Sequence, residues 1–305
     1  MSNKIKLADG IHTTKGDKIF FAINYVFMIF LALITLYPML YVLFCSFSDP
    51  NEFAMVRGIM FRPAGFSTQG YSMVFKMNTL WLGYRNTLVY VLVGTCISMV
   101  LTIMGAYILS HTDFVLKKVT MVLIVFTMYF GGGMIPTYLT VVKMGLNNTM
   151  WAVMLPGAVS VYNMIVLRTS FKGIPTALIE SATIDGANDV TVLFRIILPL
   201  SGAALATITL FYAVGNWSAW YNAMVYLQNR RDLYPLQLYL RELLILDKST
   251  DSFMNSLNGT SANSYLMKEI MKYCAIIVST VPVLLIYPFI QKYFVKGVMV
   301  GAIKE

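Results

Sequence analysis

The sequence predicts an all-α integral membrane protein with six transmembrane helices. Three observations carry that prediction. Hydrophobic residues make up 58% of the 305 positions. Charged residues make up 12%, against roughly 25% in soluble proteins. The apolar residues fall in long runs free of Asp, Glu, Lys and Arg, and the mean hydropathy is +0.68. A soluble domain of this length cannot hide so much apolar surface. The net charge of +9 is spread too thinly to form a nucleic-acid-binding face.

The chain opens with a charged segment, residues 1–18, carrying Lys4, Lys6, Lys15 and Lys18. The apolar run after Lys18 exceeds the roughly 7–15 residues of a signal-peptide core, so it reads as an uncleaved first span. A helix needs about 20 apolar residues to cross a bilayer. Spans are expected at Ile19–Phe47, Asn86–Ser110, Val119–Val142, Met150–Leu167, Leu200–Leu227 and Tyr273–Gln291. They must be helices, because open strands leave backbone groups unpaired in lipid. Pro38, Pro156, Pro282 and Pro288 are expected to bend their spans. Gly131–Gly133 would loosen span three or admit a close neighbour. The transmembrane domain thus covers 19–291, and 292–305 forms a tail.

No constellation for catalysis or metal binding is found. His12 and His111 are the two histidines, which excludes an HExxH zinc site. Cys45, Cys96 and Cys274 sit alone in apolar stretches and read as small hydrophobes. No GxxxxGK[ST] phosphate-binding loop occurs. Proton- and sodium-coupled carriers commonly keep an ionisable residue in the membrane. None of the six spans holds one, although a sodium site built from backbone carbonyls needs none. The expected energy source therefore lies outside the membrane, and a stand-alone carrier or channel stays as the alternative. The 23 Lys and Arg divide almost evenly between the two sides, so the positive-inside rule gives no orientation.

The segment 171–199, between spans four and five, holds the most specific pattern. Pro175 suits a first helical residue. Thr176–Asp185 can form a short helix with Leu178, Ile179 and Ala182 on one side. Gly186 can take the left-handed conformation that ends it. Asn188 or Asp189 can cap a second helix toward Arg195, and Pro199 marks entry into span five. A helix–turn–helix knob results.

This segment resembles the EAA loop of ABC-importer permeases: EAA, three residues, Gly, nine residues, I-x-L-P. Glu180, Ala182, Gly186, Ile196, Leu198 and Pro199 fall in register, and Ser181 replaces an alanine. The stretches Phe130–Tyr138, Leu210–Trp217 and Gln291–Gly301 look like the carbohydrate-uptake branch, in the position of the second maltose-type permease subunit. The resemblance implies a type I permease fold in the bacterial cytoplasmic membrane, with the knob and both termini cytoplasmic. It implies that Glu180, Ser181, Ala182, Asp185, Gly186, Ile196, Leu198 and Pro199 couple to a cytoplasmic ATPase. The implied partners are a second homologous permease, two ABC ATPase subunits carrying ATP and Mg, an extracellular solute-binding protein and an oligosaccharide. This chain itself would bind no cofactor. The tail after Phe294 either reaches the ATPase interface or is a solvated basic end.

Sugar sites need aromatic platforms with amide or hydroxyl partners. Tyr212, Asn216 and Trp220, four residues apart on span five, offer such a set beside Trp217, Tyr221 and Asn222. For the tryptophans the competing reading is an interfacial aromatic belt. Asn216 favours the path, because an amide facing lipid is costly. Tyr162 and Asn163 on span four, and Tyr129 and Tyr138 on span three, are equally open to a packing role. The external loop 228–272 has an amphipathic stretch at Leu236, Leu240, Leu243 and Leu244. It lies either along the membrane surface or against the binding protein. Arg57, Arg62, Lys76 and Arg85 in the first external loop would favour acidic sugars, opposed by Asp49 and Glu52.

Overall fold

A computed structural model describes residues 15–56, 58–110, 115–246 and 262–302. Lys4, Lys6, His12, Arg57, His111 and loop residues 247–261 lie outside the described residues. Helices dominate, and the one β-type pairing recorded among the described residues is an isolated bridge between Ser48 and Phe66. The contacts divide the chain into two units: residues up to Tyr71 with Ser261–Ile277, and Ser72–Thr260 with the rest of the chain.

In the first unit, α1 (Lys15–Ser46) is a 32-residue helix containing Pro38. At 1.5 Å per residue it is about 48 Å long, enough to cross a hydrocarbon core of about 30 Å. Its apolar side chains are exposed along most of its length, from Ile19 to Met39. The chain then turns into α2 (Pro50–Met55), capped by Asp49, whose carboxylate accepts from the Asn51 and Glu52 N–H groups. Tyr41 and Phe53 both pack edge-on against Tyr273, and the Cys274 thiol donates to the Ser46 carbonyl.

α3 (Gln69–Lys76) spans the boundary at Tyr71, and the second unit continues into α4 (Asn78–Ser110), 33 residues long. Its buried residues recur every three or four positions and are mostly small: Gly83, Thr87, Gly94, Ser98, Thr102, Ala106. Small residues let membrane helices approach closely without a hydrophobic drive. Two later helices use that stripe, α8 (Val161–Lys172) and α12 (Gly202–Trp217).

Span three is not one straight helix. It is α5 (Lys117–Tyr129) and α6 (Met134–Lys143), meeting at 112°. Phe130–Gly133 are non-helical, and Gly133 has φ +83°, a conformation that side-chain-bearing residues avoid. Span four is broken as well. The five-residue α7 (Met150–Met154) is followed by a turn through Pro156 and Gly157 before α8. Span five starts at Gly202, after an 86° bend from the rod Asp189–Leu200. By length and composition the described residues hold three single-helix spans, or up to five counting each bent pair.

Beyond α12 come α13 (Tyr221–Tyr226) and α14 (Leu236–Arg241). The last helix, α15 (Ala262–Ala302), starts ahead of the expected Tyr273 and passes through Pro282, Pro288 and the expected tail boundary at 292 without a break.

Polar pins fix the second unit. The Asn86 amide donates to the carbonyls of Asp232 and Tyr234 at 2.7 and 3.0 Å. Thr87 accepts from the Leu236 N–H, and Tyr90 donates to the Leu233 carbonyl. The segment ahead of α14 is thus fastened to the N-terminal part of α4. Asn86 is wholly buried, so Asn86→Ala leaves two carbonyls without their donor and should cost about 1–3 kcal/mol. The expected result is a lower Tm of the detergent-purified protein and faster protease cleavage between residues 228 and 246. An unchanged Tm and cleavage rate would refute this pinning.

Tyr212 is a second pin. It accepts from the Ser160 N–H at 3.0 Å and shares a 2.7 Å hydrogen bond with Thr102, joining α12, α4 and the start of α8. Tyr212→Phe should lower the Tm, at a cost of about 1–2 kcal/mol, and leave the apparent KM for solute unchanged. A raised KM with an unchanged Tm would give Tyr212 to the solute path instead.

Candidate functional site

The knob forms as the local sequence dictates. Its first helix is α9 (Thr176–Ile184), with Pro175 at the cap position, one residue ahead of the expectation. Gly186 has φ +84°. The Ala187 N–H donates to the Ala182 carbonyl and the Gly186 N–H to the Thr183 carbonyl, at 2.9 and 3.0 Å. That pair of bonds is the Schellman closure, which requires a left-handed residue at Gly186. Asn188, rather than Asp189, caps the next helix, accepting from the Thr191 N–H at 2.8 Å. α10 (Asp189–Val192) then passes into a π-helical turn, Leu193–Ile197, and α11 (Leu198–Leu200). Pro199 lacks an N–H and cannot complete a regular ladder. The π turn just ahead of it shifts the pattern, and the Leu198 N–H reaches back to Leu193.

The knob has an inner and an outer side. Ile179, Ala182, Ala187 and Leu198 pack on a buried cluster that includes Leu109, Phe171 and Ile197. Leu178, expected beside them, is turned out instead. Glu180, Ser181, Asp185 and Pro199 are exposed, Ile196 is half-buried, and Ile184 is 86% exposed. Glu180 and Ile184 line an open cavity of about 830 Å³ with Lys117, Lys172 and Thr183. At the base of the knob, Tyr107 donates to the Asp189 carbonyl and the Arg168 guanidinium to the Leu109 carbonyl. Both ties engage the C-terminal end of α4. The knob and the 232–236 segment therefore sit at opposite ends of that helix.

The expected solute set divides in two. Tyr212 and Trp217 are buried, the latter edge-on to Tyr84. Asn216 is half-buried and donates to Thr95 at 3.2 Å. All three make contacts between helices in this structure. Trp220 does not continue their face, because α12 ends at Trp217 and a turn intervenes. Trp220 and Tyr221 form an exposed perpendicular pair with ring centroids 5.8 Å apart. Asn222 is half-buried, Tyr162 is exposed on α8, and Asn163 is buried beside the Ser160 cap. Tyr138 stacks on Tyr226, while Tyr129 is exposed.

One residue of this neighbourhood was missed. Arg241 lies over the Trp220 ring, 4.9 Å from its centroid. Its place in an amphipathic leucine stretch hid it, and no local spacing links positions so far apart. Arg241 closes a segment rich in paired charges. Arg230 grips Asp232 through two hydrogen bonds, which hold that carboxyl below its usual range. Arg231 pairs with the buried Glu242 at 3.3 Å. Tyr239 donates to the Arg231 carbonyl and is pushed up to about 12 by burial, then by the Glu242 charge.

No protein-family model matches the chain. Individual relatives do. The polygalacturonan/rhamnogalacturonan transport system permease protein YtcP of Bacillus subtilis (strain 168) is 38% identical over 288 residues, 94% of this chain and 99% of that protein. Protein LplC of the same organism is 36% identical over 96% of this chain and 98% of that protein. Among solved structures, a chain from the crystal structure of a bacterial ABC transporter involved in the import of the acidic polysaccharide alginate superimposes with a TM-score of 0.85. It is 32% identical, covering 93% of this chain and 100% of that one. Likeness running the length of both chains, on the same helical fold and with the expected loop in place, makes this chain a member of the carbohydrate ABC transporter permeases, multi-pass membrane subunits rather than enzymes.

Proposed function

We propose that the chain is one of two permease subunits of an ATP-driven importer for oligosaccharides, and that it forms half of the translocation path. The observation that carries the reading is the knob: core-packed on its inner side, with Glu180, Ile184 and Asp185 exposed on its outer side. In this reading the outer side seats in a cytoplasmic ATPase subunit, and ATP with Mg is bound there, not here. Both termini lie in the cytoplasm, and the 228–246 segment faces outward toward a solute-binding protein. The exposed apolar length of α1 meets lipid or the second permease. The relatives named for polygalacturonan/rhamnogalacturonan and for the acidic polysaccharide alginate favour substrates that carry carboxylates.

Two substitutions test the docking. Ile184→Asp puts a charge on the exposed tip. A buried isoleucine contributes about 1.5–3 kcal/mol, so the ATPase should bind the permease pair about tenfold or more weakly. Co-purification of the ATPase with the permeases measures this, and full retention would sink the docking role. Gly186→Val forces a β-branched residue to φ +84°, at a cost of about 1–2 kcal/mol. Proteoliposomes carrying it should hydrolyse ATP with reduced solute uptake per ATP, whereas Gly186→Asn, which tolerates that conformation, should stay closer to wild type. Uptake by the wild-type complex without ATP would support a stand-alone carrier instead.

A further inference from the structure

A chain of contacts links the break in span three to Tyr221, Trp220 and Arg241. α5 has 13 residues and so rises about 20 Å, short of the roughly 30 Å hydrocarbon core. After it, Phe130–Gly133 leave the helix and are exposed. Among the described residues, the N–H groups of Gly131, Gly132 and Gly133 have no backbone acceptor. Next to the break, the Tyr221 hydroxyl meets the Met134 sulphur. Trp220 stands perpendicular to Tyr221, and Arg241 covers the indole. An aromatic belt facing lipid accounts for a tryptophan, a tyrosine and an arginine. It does not account for the broken backbone, because irregular backbone with free donors occurs at membrane depth only where protein or water covers it.

Arg241 also stands apart electrostatically. Among the described residues, the acids of its segment are engaged, Asp232 by Arg230 and Glu242 by Arg231. No carboxylate pairs with Arg241 among the described residues; its recorded partner is an aromatic face. A guanidinium above a ring keeps its N–H edges free, and they match the two oxygens of a carboxylate. Beside it, Trp220 and Tyr221 offer flat surfaces for the C–H face of a pyranose. Among the described residues the glycine N–H groups have no backbone acceptor.

We infer that this surface reads uronic acid units of the transported oligosaccharide, with Arg241 binding the sugar carboxylate and Trp220 and Tyr221 supporting the ring. The inference rests on the carbohydrate-import reading and deepens it. It makes Arg241, which lies outside the charge-free spans, a specificity determinant within the permease.

The test uses the complete transporter with its binding protein in proteoliposomes. The probes are trigalacturonate and its fully methyl-esterified form, alike in ring number and different in charge. Every variant uses the same binding protein, so a changed acid-to-ester ratio of initial uptake rates belongs to the permease. Arg241→Gln should lower that ratio about tenfold or more, leaving ester uptake and assembly intact. Arg241→Lys should restore part of it through charge alone. Trp220→Ala should slow both probes. An unchanged ratio in Arg241→Gln, with acid uptake intact in the wild type, overturns the site and leaves the import reading standing. Uptake of a neutral oligosaccharide but of neither probe by the wild type overturns the acidic-substrate reading as well.

Discussion

A polar side chain on a membrane helix must find its partner inside the protein, since hydrocarbon supplies none and an unmet group costs free energy. α4 meets this demand along its whole length. Asn86, Thr87 and Tyr90 hold the backbone at 232–236 near its N-terminal end. Thr95 and Thr102 hold α12 in the middle. Near its C-terminal end, Tyr107 and the Leu109 carbonyl hold the knob and α8. The small residues between these pins bring the neighbouring backbones close enough for the bonds to form. Removing the stripe while keeping the pins would leave donors and acceptors too far apart, so the two features work only together.

That spine gives the proposed mechanism its mechanics. The knob is continuous with α12 through the π turn, Pro199 and the 86° bend. Force on its outer side passes into α12 with only a bend to absorb it. α12 is bonded to α4 by Tyr212 and Asn216, and its far end leads directly to Trp220 and Tyr221. A rocking of the knob would therefore move the aromatic pair relative to Arg241, which is held on the other side through α14 and the pinned 232–236 segment. The buried hydroxyl pins favour movement of packed helices as bodies over independent sliding of one helix.

How much of this was legible follows from the range of the interactions. The knob was, because Pro175, Gly186 and Asn188 act on backbone within a few residues of themselves. Leu178 was misplaced there, because which side of a nine-residue helix faces inward is decided by α4 and α8. The spans were legible as apolar length, but apolarity does not distinguish a straight helix from a bent pair. The glycines at 131–133 were noted, yet a 112° turn needs α6 to find Tyr226 and its neighbours. Tyr212 offered the same chemistry for a sugar as for a pin. Its hydrogen bonds to Thr102 and the Ser160 N–H show the pin, and both partners are distant in sequence. The four-residue repeat of small residues in α4 was present from the start and is the signal that would have exposed the spine.

The absence of charge from the spans and the position of Arg241 then become one design. An ionisable group within the spans would bind a charged sugar tightly at depth, and transport would stall where release is slow. On the inference above, the Arg241 guanidinium, stacked on Trp220, selects the carboxylate and leaves the interior to hydroxyl, amide and backbone contacts. Those contacts are individually weak and readily exchanged with water. In the proposed reading the driving force of such a path comes from the docked ATPase. In the proposed reading, selection at one end of α4 and docking at the other divide the work of an importer driven from a separate ATPase.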